Sequence, residues 1–458
     1  MQYFRPAEPN RFVGDCMPFY HDGLFQLYYL LDEGHHSALG GLGGHQWAHA
    51  SSSDLITWTH HPLALPITAP WEGSICTGSL IAHKGAFYAF YATRIRDRTQ
   101  HLSMAWSHDG IHFDKLTPNP FASPPEGYSP YHYRDPFVFQ HPETGRFSML
   151  VTAWLDRGTV PGRGGCLAHL TSDDLRAWTV EEPFLVPGLE GPPECPELFV
   201  WNDWWYLVFS NGLTARYRMA RHPNGPWTRP REDTFEGQTA RVMKTAPFTG
   251  NRRIGVAWLG TRKGDQDRGA FQWGGNAVFR ELVQHADGTL GVTWPREMVP
   301  QESAAVDPQV KLLTSGAVWS GQGVALAAAS GMECVRLAGL PRNFRLRARV
   351  HRTAGYGTYG LRLRAGEAFD SGYALTFAPG EGTVRLGDDA FCRMRAPHKA
   401  FDLDVVAQDS IIDVRIGDDG CLIDRCPEQQ GDQLVFYALD ASVTLANVTL
   451  TALPARGL

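Results

Sequence analysis

The chain contains no C-x-x-C pair, no apolar run of membrane-spanning length and no excess of positive charge. Each absence closes off a class. Without C-x-x-C spacing, a zinc ribbon or thioredoxin-type redox motif is excluded. Without some twenty consecutive apolar residues, no helical membrane span is expected. A formal net charge of −6 argues against nucleic acid or an anionic membrane as the main partner. The N-terminus, Met1-Gln2-Tyr3-Phe4-Arg5-Pro6, lacks a charged-then-apolar leader, so a cytoplasmic location is expected. The eight cysteines, at 16, 76, 166, 195, 334, 392, 421 and 426, mostly stand singly in apolar or Gly-rich runs and read as reduced, buried thiols. From Phe19 to about residue 300 no stretch has convincing helical periodicity.

What is present is strand and turn. The 458 residues suffice for two or three domains, and 48 glycines and 31 prolines imply many turns. Short apolar or alternating runs recur at 24–31, 79–82, 86–92, 147–153, 204–210 and 254–259, which indicates an all-β fold. A segment also repeats. His49-Ala50-Ser51-Ser52-Ser53-Asp54-Leu55-Ile56-Thr57-Trp58-Thr59 returns as His169-Leu170-Thr171-Ser172-Asp173-Asp174-Leu175-Arg176-Ala177-Trp178-Thr179. Weaker copies begin at Ala105 and Ala220. A strand, a polar turn and an aromatic that tucks back, recurring at such intervals, point to a β-propeller. In this reading the turn Asp and Trp staple hairpins and do no chemistry. After about residue 300 Trp and Pro thin out, and runs such as Phe344–Val350 and Ile411–Ile416 alternate with period two. That pattern describes a separate β-sandwich. The expected division is a catalytic propeller over 1–300, a linker or first strand over 301–315, and the sandwich over 316–458.

Three acids share an unusual context. Glu194 lies in Gly191-Pro192-Pro193-Glu194-Cys195-Pro196, Asp15 in Gly14-Asp15-Cys16-Met17-Pro18, and Asp135 in Tyr133-Arg134-Asp135-Pro136. Each stands at the start of a strand-like run with proline nearby. A lone acid in such a place reads as a turn cap; three suggest one converging site. Two carboxyl groups flanking a sugar acetal suffice for glycoside hydrolysis. Glu194, hemmed by prolines and Cys195, has the drier setting that suits a general acid and then base. Asp15 is the expected nucleophile, and Asp135 the group that holds sugar hydroxyls and favours the oxocarbenium-like transition state. Arg134 either keeps Asp135 ionised or forms an ordinary salt bridge. The 14 tryptophans fit sugar stacking as well as a core.

With these motifs in order, the chain resembles glycoside hydrolase family 32, the invertase, inulinase and levanase group. That family carries an Asp motif, an Arg-Asp-Pro motif and a Glu-Cys motif, here matched at Asp15, Arg134-Asp135-Pro136 and Glu194-Cys195. Trp47-Ala48-His49-Ala50, Thr77-Gly78-Ser79, Trp273–Leu282 and Gln408–Val414 match further segments, so the likeness runs through nearly the whole chain. The resemblance implies a five-bladed propeller followed by a C-terminal sandwich. It implies a retaining β-fructosidase with no metal or other cofactor, a small carbohydrate as partner, and neither nucleic acid nor membrane.

The departures define the remaining candidates. Gly14 stands where the family usually has Asn, and Leu30 where a Gln often contacts the sugar. An insert rich in Gly and His follows, and His35, His36, His45 or Gln46 are candidate replacements; packing within a turn or a metal site are the alternative readings. The family's acidic blade-five segment becomes Thr239-Ala240-Arg241, so Arg241 either reaches a charged or extended substrate or braces the blade. Trp47, Trp71 and Ser79 complete the substrate-binding candidates. Two other functions stay open: an inverting arabinanase or xylosidase on a related propeller, and a carbohydrate-binding propeller without catalysis.

Overall fold

The computed structural model describes residues 2–456 except 159, 235, 236, 302, 368–370, 397 and 419. Strands dominate. The one α-helical segment among the described residues is the four-residue turn Ala38–Gly41.

The first eighteen strands make five blades. Blade one holds β1 (Arg11–His21), β2 (Leu24–Glu33), β3 (Gln46–Ser52) and β4 (Thr59–His60). Blade two holds β5 (Ser74–His83), β6 (Ala86–Arg94), β7 (Gln100–Ser107) and β8 (Asp114–Lys115). Blade three holds β9 (Tyr128–Gln140), β10 (Phe147–Leu155), β11 (Gly165–Ser172) and β12 (Thr179–Leu185). Blade four holds β13 (Glu194–Trp201), β14 (Trp204–Asn211) and β15 (Thr214–Ala220), and blade five β16 (Ala240–Phe248), β17 (Arg252–Arg262) and β18 (Phe271–Gln284). Consecutive strands within a blade pair antiparallel, and Val13 of β1 pairs with Gly275 of β18, so the first and last blades share one sheet.

The repeated segment is the turn that closes blades one, two and three. In blade one, Asp54 Oδ1 accepts the Ile56 and Thr57 N–H groups while Ser52 Oγ donates to the same oxygen. Asp109 with Ser107 and Asp174 with Ser172 repeat this bonding. An Asx turn of this kind satisfies the N–H groups that a sharp turn strips from the ladder. These aspartates are structural.

The compact units are two. The first comprises Met1–Thr234, Arg241–Trp258 and Trp273–Thr289; the second comprises Phe235–Ala240, Leu259–Gln272 and Leu290–Leu458. Within the second, the long strands Phe344–Ala365 and Gln433–Ala452 pair along most of their length. The alternate residues Phe344, Leu346, Ala348 and Val350 are buried in a core with Leu403, Val405, Leu445 and Leu450. Their neighbours on the other face carry charge, as in the Arg345–Asp404 pair. Gln309–Leu312 forms a strand that pairs with Met332–Ala338.

Candidate active site

The sequence places the three acids at strand entrances; the structure places Asp15 and Asp135 inside strands, and Glu194 at the first residue of one. The cause is one irregularity repeated around the blades. Between Val13 and Cys16, β1 advances three residues while β2 advances two, from Leu31 to Tyr29. The same shift separates Ile75 from Gly78, Arg134 from Phe137, and Glu194 from Glu197. The residues left out of the ladder are Gly14-Asp15, Cys76-Thr77, Asp135-Pro136 and Cys195-Pro196. A bulge frees side chains from the alternation of the strand and aims them elsewhere. Pro136 and Pro196 occupy unpaired positions, where a missing N–H costs no ladder bond. Asp135 and Cys195 take the positive φ values of 54° and 52° that such a kink requires.

All three acids line one cleft, together with Thr77, Cys195, Arg134, Gln100, Arg94, His36, His45, Leu30 and Trp273. Asp15 is held at both oxygens. Thr77 Oγ1 donates to its Oδ2 at 2.6 Å and Trp258 Nε1 to its Oδ1 at 2.9 Å. Asp135 is buried, and its Oδ2 accepts the Cys195 N–H at 3.1 Å and the Thr152 hydroxyl at 3.2 Å. The Cys195 thiol lies 3.8 Å from Asp15 Oδ2, so one residue of blade four touches the acids of blades one and three. Glu194 is partly open, with 27% of its side chain exposed. Its Oε1 accepts from Arg134 Nη2 at 2.6 Å, whereas Asp135 lies 3.6 Å from Arg134 Nε. Arg134 therefore bonds Glu194 more closely than the Asp135 beside it in sequence.

Burial raises the Glu194 carboxyl pKa; the Arg134 cation opposes this without cancelling it, and the Asp135 charge adds to the rise. Burial also raises Asp15, against the lowering hydrogen bond from Thr77 and with the Asp135 charge in support. Both carboxyls thus hold a proton more readily than a free side chain does.

The other candidates separate. His36 and His45 line the cleft. His45 Nε2 lies 3.0 Å from Asp32 Oδ1, and its ring stacks on Trp273 at 4.5 Å. Arg94 Nη1 donates to His36 Nε2 at 2.7 Å, and His36 Nδ1 lies 3.2 Å from His45 Nε2. Among the described residues, no three His, Cys, Asp or Glu are grouped to hold a metal ion. His35 stacks on Phe12 at 4.0 Å outside the cleft lining. Gln46 accepts the Ile67 N–H. Buried Trp47 donates to the Cys76 carbonyl, bracing the Cys76-Thr77 bulge from behind. Ser79 accepts the Val138 N–H, stitching blade two to blade three. Trp71 is half-buried in the segment before β5 and is not part of the cleft wall. Arg241 stands over the Trp258 ring, 5.6 Å from its centre.

Sequence reasoning gave no site role to Trp258, Arg94 or Gln100, and named Thr77 and Trp273 only within family-matching segments. Thr77 occupies the same bulge position in blade two that Asp15 occupies in blade one. Trp273 covers Gly14: a Cβ there would sit 2.1 Å from the indole ring. The ring fills the space that the usual Asn side chain would need.

Five blades with three acids from separate inner strands in one cleft define a propeller of the glycoside hydrolase type. The chain belongs to glycosyl hydrolase family 32: the family model described as "Glycosyl hydrolases family 32 N-terminal domain" matches residues 8–295. It is 26% identical over 285 residues to the sucrose-6-phosphate hydrolase of Escherichia coli, covering 56% of this chain and 57% of that protein. It is 24% identical over 290 residues to the levanbiose-producing levanase of Bacillus subtilis, covering 60% of this chain and 48% of that protein. The chain thus spans about half the length of the curated relatives it matches. Among solved structures it resembles fructan 1-exohydrolase IIa of Cichorium intybus, with a TM-score of 0.75 at 16% identity over 99% of this chain and 97% of that one. At that identity the likeness shows the fold: a five-bladed propeller with a β-sandwich.

Proposed function

We propose that the chain is a retaining glycoside hydrolase acting on β-fructofuranosides, such as sucrose, fructo-oligosaccharides or fructan. Asp15 attacks the anomeric carbon as the bond to the leaving oxygen breaks, and Glu194 gives its proton to that oxygen. Glu194 then takes a proton from water, whose oxygen displaces Asp15 and releases the sugar. Asp135, held by the Cys195 N–H, binds ring hydroxyls and offsets the positive charge that develops on the sugar. His36, His45 and Arg134 supply further contacts to the sugar, in place of the polar groups missing at Gly14 and Leu30.

One observation carries this reading. Asp15 is gripped at both oxygens by Thr77 and Trp258, directed into a cleft that also holds a raised-pKa glutamate. A carboxylate fixed in this way is suited to in-line attack. The names of the relatives support the sugar class, as does a chicory fructan 1-exohydrolase structure solved in complex with 1-kestose. All eight cysteines are free, in keeping with the reducing cytoplasm. No helix among the described residues is long and apolar enough to cross a membrane.

Incubation with sucrose, inulin, levan and an arabinan, with products identified by NMR, tests the reading. Release of fructose or fructo-oligosaccharides from one of the first three supports it. Turnover of arabinan alone would replace it with the arabinanase alternative.

A further inference from the structure

The five innermost strands continue past the acids, and their next residues enclose a second cavity of about 190 Å³. Its walls include Met17–Tyr20 of β1, Gly78–Leu80 of β5, Phe137 of β9, Glu197 of β13 and Lys244–Pro247 of β16, and it shares no residue with the cleft. Most of this surface is apolar: Met17, Phe19, Leu80, Phe137 and Pro247. An apolar cavity of ~150 Å³ accommodates a benzene ring, so an aromatic or short aliphatic body fits here.

The charges in the walls do not balance. Glu197 is fully engaged: it accepts the Thr245 N–H and hydroxyl, each at 2.6 Å, and is ion-paired with Arg253. Arg253 also donates Nε to Thr245 Oγ1 and lies over the Phe199 ring. Lys244 has no such partner. It is 3% exposed, yet its ammonium makes a single hydrogen bond, to the Gly78 carbonyl at 2.9 Å, and sits 5.5 Å from the centre of the Phe137 ring. Gly78 and Phe137 are both cavity walls, so the ammonium lies at the cavity surface. Among the described residues no carboxylate is ion-paired with it. An ammonium has three donors, and two remain available. Burying a charge without a counter-charge is costly, which favours a bound anion over a bare ammonium. A single uncompensated cation suits a monoanion; a phosphate dianion would require more positive charge than these walls hold.

We propose that this cavity is a binding site for a small carboxylate with an apolar body. The carboxylate lies on Lys244, and the body packs against Phe19, Leu80 and Phe137. The site is separate from the sugar cleft.

Sodium benzoate and its neutral isostere benzamide test this by calorimetric titration of the full-length protein. Benzoate is expected to bind about tenfold or more tightly than benzamide, the worth of one charge-assisted hydrogen bond. Lys244→Met should abolish that preference. Because removing a buried charge can disturb folding, Pro247→Trp at the exposed rim gives a second test. It narrows the entrance and should weaken benzoate by about tenfold while sugar hydrolysis continues. Asp15→Asn should leave benzoate binding unchanged. Equal affinity for the two probes, no saturable binding, or displacement of benzoate by fructose would overturn the proposal, the last by moving the ligand to the sugar cleft.

Discussion

At Gly14 a side chain has no room, because the Trp273 ring occupies the place of its Cβ. The same ring stacks on His45, so glycine, tryptophan and histidine form one packed wall of the cleft. Gly14→Asn, which restores the residue usual in the family, must push Trp273 out of that wall. It should therefore lower kcat/KM by at least about tenfold, since small displacements around a reacting centre are costly. Steady-state kinetics alongside tryptophan fluorescence would show both changes. Arg134 offers a test of opposite character. Its cation favours the charged form of Glu194 and so opposes the upward pull of burial. Without it, Glu194 keeps its proton to higher pH. In Arg134→Met the basic limb of the kcat/KM profile should move upward in pH, even as the maximal rate falls. An unmoved limb would show that Glu194 is not the titrating acid.

At the scale of the element, the recurring bulge does most of the positioning. It lifts two residues per inner strand out of the ladder, and the three acids, Thr77 and Cys195 all reach the cleft at or beside it. Part of this was legible in sequence, since proline beside an acid marks Asp135 and Glu194. Pro192 and Pro193 do form a loop before a strand; Pro136 and Pro196 instead fill unpaired bulge positions within strands, a distinction that needs the partner strand's register. Thr77 carries no proline and no charge, so only the family likeness of Thr77-Gly78-Ser79 marks it, and that likeness gives it no role. Trp258 and Trp273 come from the last blade and meet Asp15 and Gly14, respectively, only when first and last blades join, which local pattern does not encode. The bulge also sets a limit on substitution. Gly78 closes the one in blade two, where a Cβ would lie 1.9 Å from the Phe90 carbonyl oxygen, a backbone atom with little freedom to yield. Gly78→Ala should cost more than about 3 kcal/mol, and a urea titration would measure it. A wild-type midpoint would mean that the two strands can separate locally.

At the scale of the molecule, alternation and turn spacing were enough to read an all-β chain of propeller and sandwich, because burial on one face of a strand leaves a period-two signal. The contribution of 259–272 to the second compact unit was not legible, since those residues look like any blade hairpin. The buried histidines make a global prediction. His49 lies between the Tyr28 and His61 rings with Nε2 on Gln26, and burial, helped by the His61 charge, lowers its pKa to about 3. His36 falls to about 4, through burial and the neighbouring His45 and Arg94 charges. An unfolded histidine takes its proton near 6.5, so between about 6.5 and 4 the unfolded chain binds more protons. Stability should therefore fall as pH drops through that window. The raised carboxyls of Asp15 and Glu194 act with the opposite sign, because folding favours their protonated forms. His49→Gln isolates the histidine contribution: melting temperatures across the window should fall less steeply than in the wild type.

In the proposed mechanism Asp15 becomes covalently bonded to the sugar. In Glu194→Gln, loss of the base should let that intermediate accumulate during turnover of a fructoside with a good leaving group. Rapid denaturation, proteolysis and mass spectrometry should then find the peptide containing Asp15 heavier by one fructosyl residue. A fructosyl group on Asp135 instead, or none on any peptide while product still forms, would contradict the account.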